Sequence, residues 1–166
     1  MARQLWLLRH AEAEPHGSRP DSERRLTVRG ERQARAAGRA LARIGVKFDA
    51  VLVSPKARAR QTAELAAQAW SPAQRKRLRE HPPLAGGFDA AQALDALEGL
   101  DADACLLLVG HEPDLSLLAG ELTGGRIDMK KGGVAAVRLE GSGWQLVVVM
   151  RPRELALIAG APAGGD

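Results

Sequence analysis

Short, uninterrupted apolar runs alternate with helical apolar stripes over the first two-thirds of the chain. Leu5-Trp6-Leu7-Leu8 is one such run, the pattern of a strand buried on both faces. From Thr27, placed as an N-cap, Ala34, Ala37, Leu41 and Ile44 recur at helical spacing until Gly45 supplies a stop. Residues 49–53 read as a second strand. Ser54-Pro55 then offers an N-cap followed by proline at the first helical position, and the helix it opens carries Ala59, Ala63, Ala66 and Trp70 on one stripe, stopping before Ser71-Pro72. Residues 90–100 give a third helix and 105–109 a third strand. Pro113 opens a fourth helix, with Leu115, Leu118, Ala119 and Leu122 on its apolar side, which Gly124-Gly125 ends. Residues 134–139 and 144–150, joined by Glu140-Gly141-Ser142-Gly143, form a hairpin.

Alternating strands and helices predict an α/β fold, a three-layer α/β/α sandwich around a mixed, mostly parallel sheet. Segment 11–25 has no apolar periodicity and carries Pro15, Gly17, Pro20, Asp21 and Ser22, so it reads as a long surface loop. One domain is expected over 1–158, with 159–166, mostly Gly, Ala and Pro, a disordered tail.

Composition narrows the function classes. The 166 residues, 45% hydrophobic, are enough for one globular core, and no apolar run approaches the roughly 20 residues a membrane span needs. The amino terminus leads directly into a strand, so a cytoplasmic protein without a membrane partner is expected. The single cysteine, Cys105, lies in an apolar run and reads as a core residue. A net charge of +4 favours acidic or phosphorylated partners. Most arginines fall in helical patterns or in the cluster Arg75-Lys76-Arg77-Arg79, where a solvated face accounts for them. With aromatics at 3% and no Tyr, the stacking platforms of single-strand binders are missing, and nucleic acid is not an expected partner.

The chemistry is concentrated at strand ends. Arg9-His10 follows the first apolar run, Ser54-Pro55 with Arg58 follows the second strand, and Gly110-His111 follows Cys105-Leu106-Leu107-Leu108-Val109. In open α/β sheets ligands bind at the carboxyl ends of the strands. Arg58 stands in the first turn of its helix, where side chains lean toward the amino terminus and free amides favour an anion. Gly110 would allow close backbone approach beside His111.

Leu8-Arg9-His10-Ala11, Ser54-Pro55-x-x-Arg58-x-x-Gln61-Thr62 and Gly110-His111-Glu112-Pro113 resemble, in order and spacing, the three signatures of the histidine phosphatase superfamily, whose fold is phosphoglycerate mutase-like. The short length, Arg25-Leu26-Thr27-x-x-Gly30 and Val51-Leu52-Val53-Ser54-Pro55 are most similar to phosphohistidine phosphatases of the SixA kind. The resemblance implies that His10 is a nucleophile forming a phosphohistidine intermediate, its tautomer fixed by a hydrogen bond from the non-attacking nitrogen to a backbone carbonyl. It implies that Arg9 and Arg58 grip the phosphoryl oxygens and that His111 donates to them as an imidazolium. It implies no metal and no other cofactor. His16 and Ser18, in the loop after His10, are further candidate phosphate contacts; His81 reads as a packing residue.

Two departures from the family pattern matter. Ala11 replaces the usual glycine, which a negative φ tolerates. The carboxylate that phosphomonoesterases and mutases of the superfamily carry after the second helix has no counterpart: Glu80 lies too early, and Pro83 or Leu84 takes the expected place, leaving Glu112 and Asp89 as fallback candidates. An alkoxide leaving group depends on such an acid, whereas an imidazole nitrogen protonates near pH 6.5 and leaves neutral. The expectation is therefore a monomeric or weakly associating phosphatase acting on phosphohistidine, carried by a protein such as a histidine phosphotransfer domain. The alternatives are a phosphatase for a small phosphorylated substrate, a non-catalytic phosphate-binding module, and a basic RNA-binding domain.

Overall fold

In the computed structural model, which describes residues 2–161, the strands are β1 (Gln4–Arg9), β2 (Ala50–Val53), β3 (Leu78–Glu80), β4 (Cys105–Gly110), β5 (Val134–Glu140) and β6 (Gly143–Met150). They form one six-stranded sheet in the order β3-β2-β4-β1-β5-β6. The strands β3, β2, β4 and β1 run parallel, while β5 is antiparallel to β1 and β6 to β5. The helices are α1 (Val28–Ile44), α2 (Ala57–Ala67), α3 (Pro72–Arg75), α4 (Ala90–Glu98), α5 (Asp114–Thr123) and α6 (Pro152–Ala159).

Period-two alternation divides the apolar strand residues between two cores. Trp6, Leu8, Val51, Val53, Leu107 and Val109 face α1, α2 and Leu155 of α6. Leu5, Leu7, Leu106 and Leu108 face α4, α5, Leu84 and Phe88. The result is the expected three-layer sandwich, in which both faces of β1 and β4 are covered. Each fully buried leucine removes enough apolar surface to contribute about 1.5–3 kcal/mol.

The first helix follows its signals closely. Thr27 Oγ1 accepts the Gly30 N–H at 3.0 Å, and Gly45, at φ 87°, ends the helix in the left-handed conformation. Two glycines within α1 are required by close approach. A Cβ on Gly30 would lie 1.9 Å from the Glu12 carbonyl oxygen, and one on Gly38 would lie 2.0 Å from that of Ala66. The first contact brings the loop after β1 against α1, and the second lets α1 and α2 pack backbone to backbone.

Several elements depart from expectation. The cap of α2 is Lys56 rather than Ser54, and the helix ends at Ala67. Trp70 therefore lies beyond it, held in the core by the Phe48 ring at 5.3 Å and by its indole N–H donating to Gly38 O. Strand β3 has three residues, only Leu78 of them half-buried, too few for a period to register. Helix α3 is a single turn capped by Ser71. Helix α6 buries only Leu155, Ala156 and Ala159, and Gly160 closes it at φ 71°. Ala159 and Gly160 thus belong to an ordered helix end rather than to a disordered tail; residues 162–166 of that tail lie outside the described residues.

Cys105 is partly buried, and burial pushes its thiol up to about 12, with the Asp49 carboxylate acting in the same direction. Among the described residues no helix is long and apolar enough to cross a membrane.

Replacing Gly30 or Gly38 by alanine should force backbone shifts costing about 1–3 kcal/mol. Thermal unfolding should show each variant losing several degrees, roughly 2–4 °C per kcal/mol for a chain of this size; an unchanged midpoint would show that the packed backbones separate freely.

Candidate active site

Backbone pairing carries the sheet past its formal ends and into the site. The His10 N–H donates to Gly110 O and the Ser54 N–H to Val109 O, each at 3.0 Å. His10, Ser54 and His111 therefore stand side by side above three adjacent parallel strands, with the two imidazole centroids 5.2 Å apart. Gly110 serves this register without needing to be glycine, because a Cβ there would meet Leu115 and Leu84 only at an ordinary 3.5 Å. That corrects the close-approach role expected for it.

The orientation of each ring is set by one partner. His10 Nδ1 lies 2.8 Å from Ala11 O, and since a carbonyl can only accept, Nδ1 carries the proton and Nε2 the lone pair. The expected tautomer lock is thus supplied by the next residue. No non-glycine residue among those described has positive φ, so Ala11 needs no glycine conformation. His111 Nε2 lies 2.7 Å from Ser54 Oγ, while its Nδ1 is buried without a protein partner. Ser54, expected as a helix cap, holds the second imidazole instead; only a fold that sets the ends of β2 and β4 side by side reveals this.

The arginines are anchored from behind. Arg9 Nη1 donates to Met129 O at 2.8 Å. Arg58 Nη1 donates to Asp21 O at 2.7 Å and its Nη2 to the Asp21 carboxylate at 3.3 Å. Asp21 also meets Lys56 at 3.1 Å and Arg24 at 3.0 Å. These cations, Lys56 first, hold its carboxyl well below the usual range. Thr62 Oγ1 accepts the Ala11 N–H and donates to Arg58 O, so Thr62 of the second motif ties the loop after β1 to α2.

A cavity of about 200 Å³ is lined by Arg9, His10, Arg58 and His111, together with His16, Glu14, Arg24, Lys131 and Glu112. His16 reaches it as an exposed side chain. Ser18 does not: its hydroxyl donates to Pro15 O within the loop, which removes it from the candidate phosphate contacts. Of the candidate acids, Glu112 lines the cavity, whereas Asp89 caps α4 and Glu80 stands on edge strand β3, both outside the lining. Leu84 is fully buried in the sheet core, so its position presents no polar group to the site. Glu14, Lys131 and Asp21 were not singled out from sequence, because loop residues without periodicity carry no signal of where the loop folds back.

Burial dominates the electrostatics. Desolvation, reinforced by Arg58, Arg9 and Lys131, pushes His10 down to about 3. Desolvation, then the His10 ring, Arg58 and Lys56, does the same to His111, also to about 3. Burial thus disfavours the charged form of both rings, against the imidazolium expected at His111. Arg9 and Arg58 are lowered by burial too, but guanidinium groups keep their proton.

A model of the histidine phosphatase superfamily (branch 1) matches residues 5–83, which include Arg9, His10 and Arg58. An uncharacterized protein of Picosynechococcus is 35% identical over 146 residues, covering 81% of this chain and 84% of that one. The chain belongs to the histidine phosphatase superfamily. Among solved structures of that fold, the protein histidine phosphatase SixA complexed with tungstate superimposes with TM-score 0.80 at 28% identity, covering 92% of this chain and 99% of that one. A phosphoserine phosphatase of Entamoeba histolytica in complex with phosphoserine superimposes with TM-score 0.73 over 92% and 99% of the two chains, at 14% identity, a likeness of fold alone. The family match together with the likeness to SixA makes the chain a phosphatase of this superfamily; its substrate is decided by the pocket's shape and by the chemistry of the leaving group.

The depressed imidazoles make stability depend on pH in one direction. An unfolded histidine binds its proton near pH 6.5, while folded His10 and His111 resist it down to about 3, so between those values the unfolded chain holds more protons. Stability from this source is complete above pH 6.5 and is lost as the pH falls toward 3. Denaturant melts at stepped pH should show that decline, and His10→Gln should make it shallower; parallel curves for the two proteins would show that His10 protonates freely in the fold.

Proposed function

We propose that this phosphatase hydrolyses phosphohistidine, presented by a protein, through a covalent phosphohistidine intermediate on His10. The observation that carries the chemistry is the Nδ1–H bond to Ala11 O, which leaves His10 Nε2 with a free lone pair in a ring kept neutral by burial. Nε2 attacks phosphorus as the bond to the substrate nitrogen breaks, and the departing imidazole takes a proton from solvent. Water then attacks the phosphorylated His10, releasing phosphate and restoring the ring. Arg9 and Arg58 meet the oxygens that carry the transferred charge. Ser54 Oγ, which accepts the Lys56 N–H at 3.3 Å, can donate its own hydrogen to His111 Nε2, the arrangement in which the ring's hydrogen sits on Nδ1.

The leaving group is inferred from the carboxylates. Glu14 is held ionised by the Arg25 N–H and the Arg19 side chain, so it has no proton to give. Glu112 Oε1 accepts from the Ser116 N–H. A site with its acids so engaged suits a nitrogen leaving group, which needs no strong acid, better than an alkoxide. The likeness to SixA supports the same choice. The presence of Glu112 in the cavity wall favours the second reading, a phosphatase for a small phosphate ester in which this carboxylate serves as the acid.

A panel of phosphohistidine peptide, phosphoramidate and common phosphomonoesters should show the highest kcat/KM on phosphorus–nitrogen bonds; faster turnover of any monoester would establish the second reading. His10→Ala should abolish turnover and acid-labile labelling while inorganic phosphate still binds, and residual turnover would exclude His10 as nucleophile. Arg58→Ala should lower kcat by about 10²–10³-fold, the scale of losing one oxyanion donor; a change below about tenfold would mean that its guanidinium stays with Asp21 throughout the reaction.

A further inference from the structure

Beside the catalytic cavity lies a second, wider depression of about 660 Å³, more than three times the roughly 200 Å³ of the first. Six cations line it: Arg9, Arg29, Lys130, Lys131, Arg151 and Arg153, with Glu12 the one carboxylate in the wall. Arg9 and Lys131 line both spaces, so the groove adjoins the cavity that holds the two imidazoles. Glu12 pairs with Arg29 at 3.0 Å, Asp128 with Lys130 at 2.7 Å, and Glu154 with Arg151. Arg9, Lys131 and Arg153 have no carboxylate partner among the described residues, which leaves the groove a net positive field.

We infer that this groove receives the acidic protein surface flanking the phosphorylated histidine, and so selects among phosphoproteins by charge. The inference rests on the phosphohistidine reading above. Three features favour a protein surface over a second phosphate of a small molecule. The cations come from four places in the fold: the end of β1, the first turn of α1, the segment before β5 and the start of α6. Lys130, Lys131, Arg29, Arg151 and Arg153 are exposed, whereas small-ligand sites hold a few convergent, fixed donors. Carboxylates interleaved among them fit an extended, screened field of the kind that steers protein encounters and sets their register.

The test uses two synthetic peptides of equal length centred on one histidine, one flanked by Asp and Glu and the other by Lys, with the full-length wild type and the double variant Lys130→Glu/Arg153→Glu. Neither substituted residue lines the catalytic cavity, so phosphoramidate turnover should be unchanged and reports that the variant is folded. Fluorescence anisotropy with the unphosphorylated peptides reads the groove without catalysis. Wild type should bind the acidic peptide about tenfold more tightly than the basic one at low ionic strength, with the gap closing near 1 M salt, where the Debye length is about 3 Å. The variant should reverse the order, and kcat/KM on the phosphorylated peptides should follow the same pattern. Equal binding of both peptides by wild type, or a preference that survives the double reversal, overturns the inference. So does a variant whose only defect is a raised KM for a bisphosphorylated sugar, which would make the groove a second-phosphate site. Charge-selective binding without turnover of either phosphopeptide or of phosphoramidate would instead leave the groove standing and refute the phosphohistidine reading.

Discussion

The register of three parallel strands governs everything at the site. Leu8 pairs with Val109 and Val53 pairs with the same Val109, so β1, β4 and β2 run out at one level. Because side chains alternate with a period of two, a slip of one residue would exchange the two core faces wholesale. Leu5 and Leu7 belong to one core and Trp6 and Leu8 to the other, so such a slip would bring each set against the helices meant for its opposite. The catalytic geometry is therefore enforced by hydrophobic packing several residues away from any reacting atom.

Upon that frame the site concentrates positive charge and keeps its imidazoles out of the competition for protons. His10 and His111 are buried next to Arg9, Arg58, Lys56 and Lys131, and water can no longer stabilise further cations among them. Asp21 supplies the counter-charge from the one side where the long loop folds back. It clamps Lys56, Arg24 and Arg58 together, which fixes one edge of the Arg58 guanidinium and leaves Nε without a protein partner. The loop thus acts as a structural strap, despite having no regular element beyond a short helical turn at Asp21–Glu23.

Much of this was legible in the chain. Continuous apolar runs disclosed β1 and β4, Thr27 and Gly45 bracketed α1, the hairpin declared itself by its glycine-rich turn, and His10 and His111 lay at strand ends with Arg58 in the helix turn after a third. What escaped was whatever depended on distant segments meeting. Ser54 carries every local signal of a helix cap, yet its hydroxyl is committed to a ring 57 positions away. Asp21 looks like any loop aspartate until the chain folds it onto Arg58, 37 positions on. The cationic groove draws on segments as far apart as Arg9 and Arg153, while the exposed arginines on helices looked individually like ordinary solvated residues. Strand β3 has too few residues to set a period, whereas helix α6 carries a proline start with Leu155 and Ala159 at helical spacing and was legible in principle.

The lone thiol has a quieter consequence. Phosphatases that use a cysteine nucleophile require it ionised, and an exposed thiolate is what peroxide converts to sulfenic acid. Cys105 stands at the start of β4, the opposite end of the strand from His111, and its thiol is held protonated far above neutrality. On the proposed mechanism a ring nitrogen stands where those enzymes place sulfur, so turnover should withstand thiol-directed alkylating agents and the oxidation of Cys105.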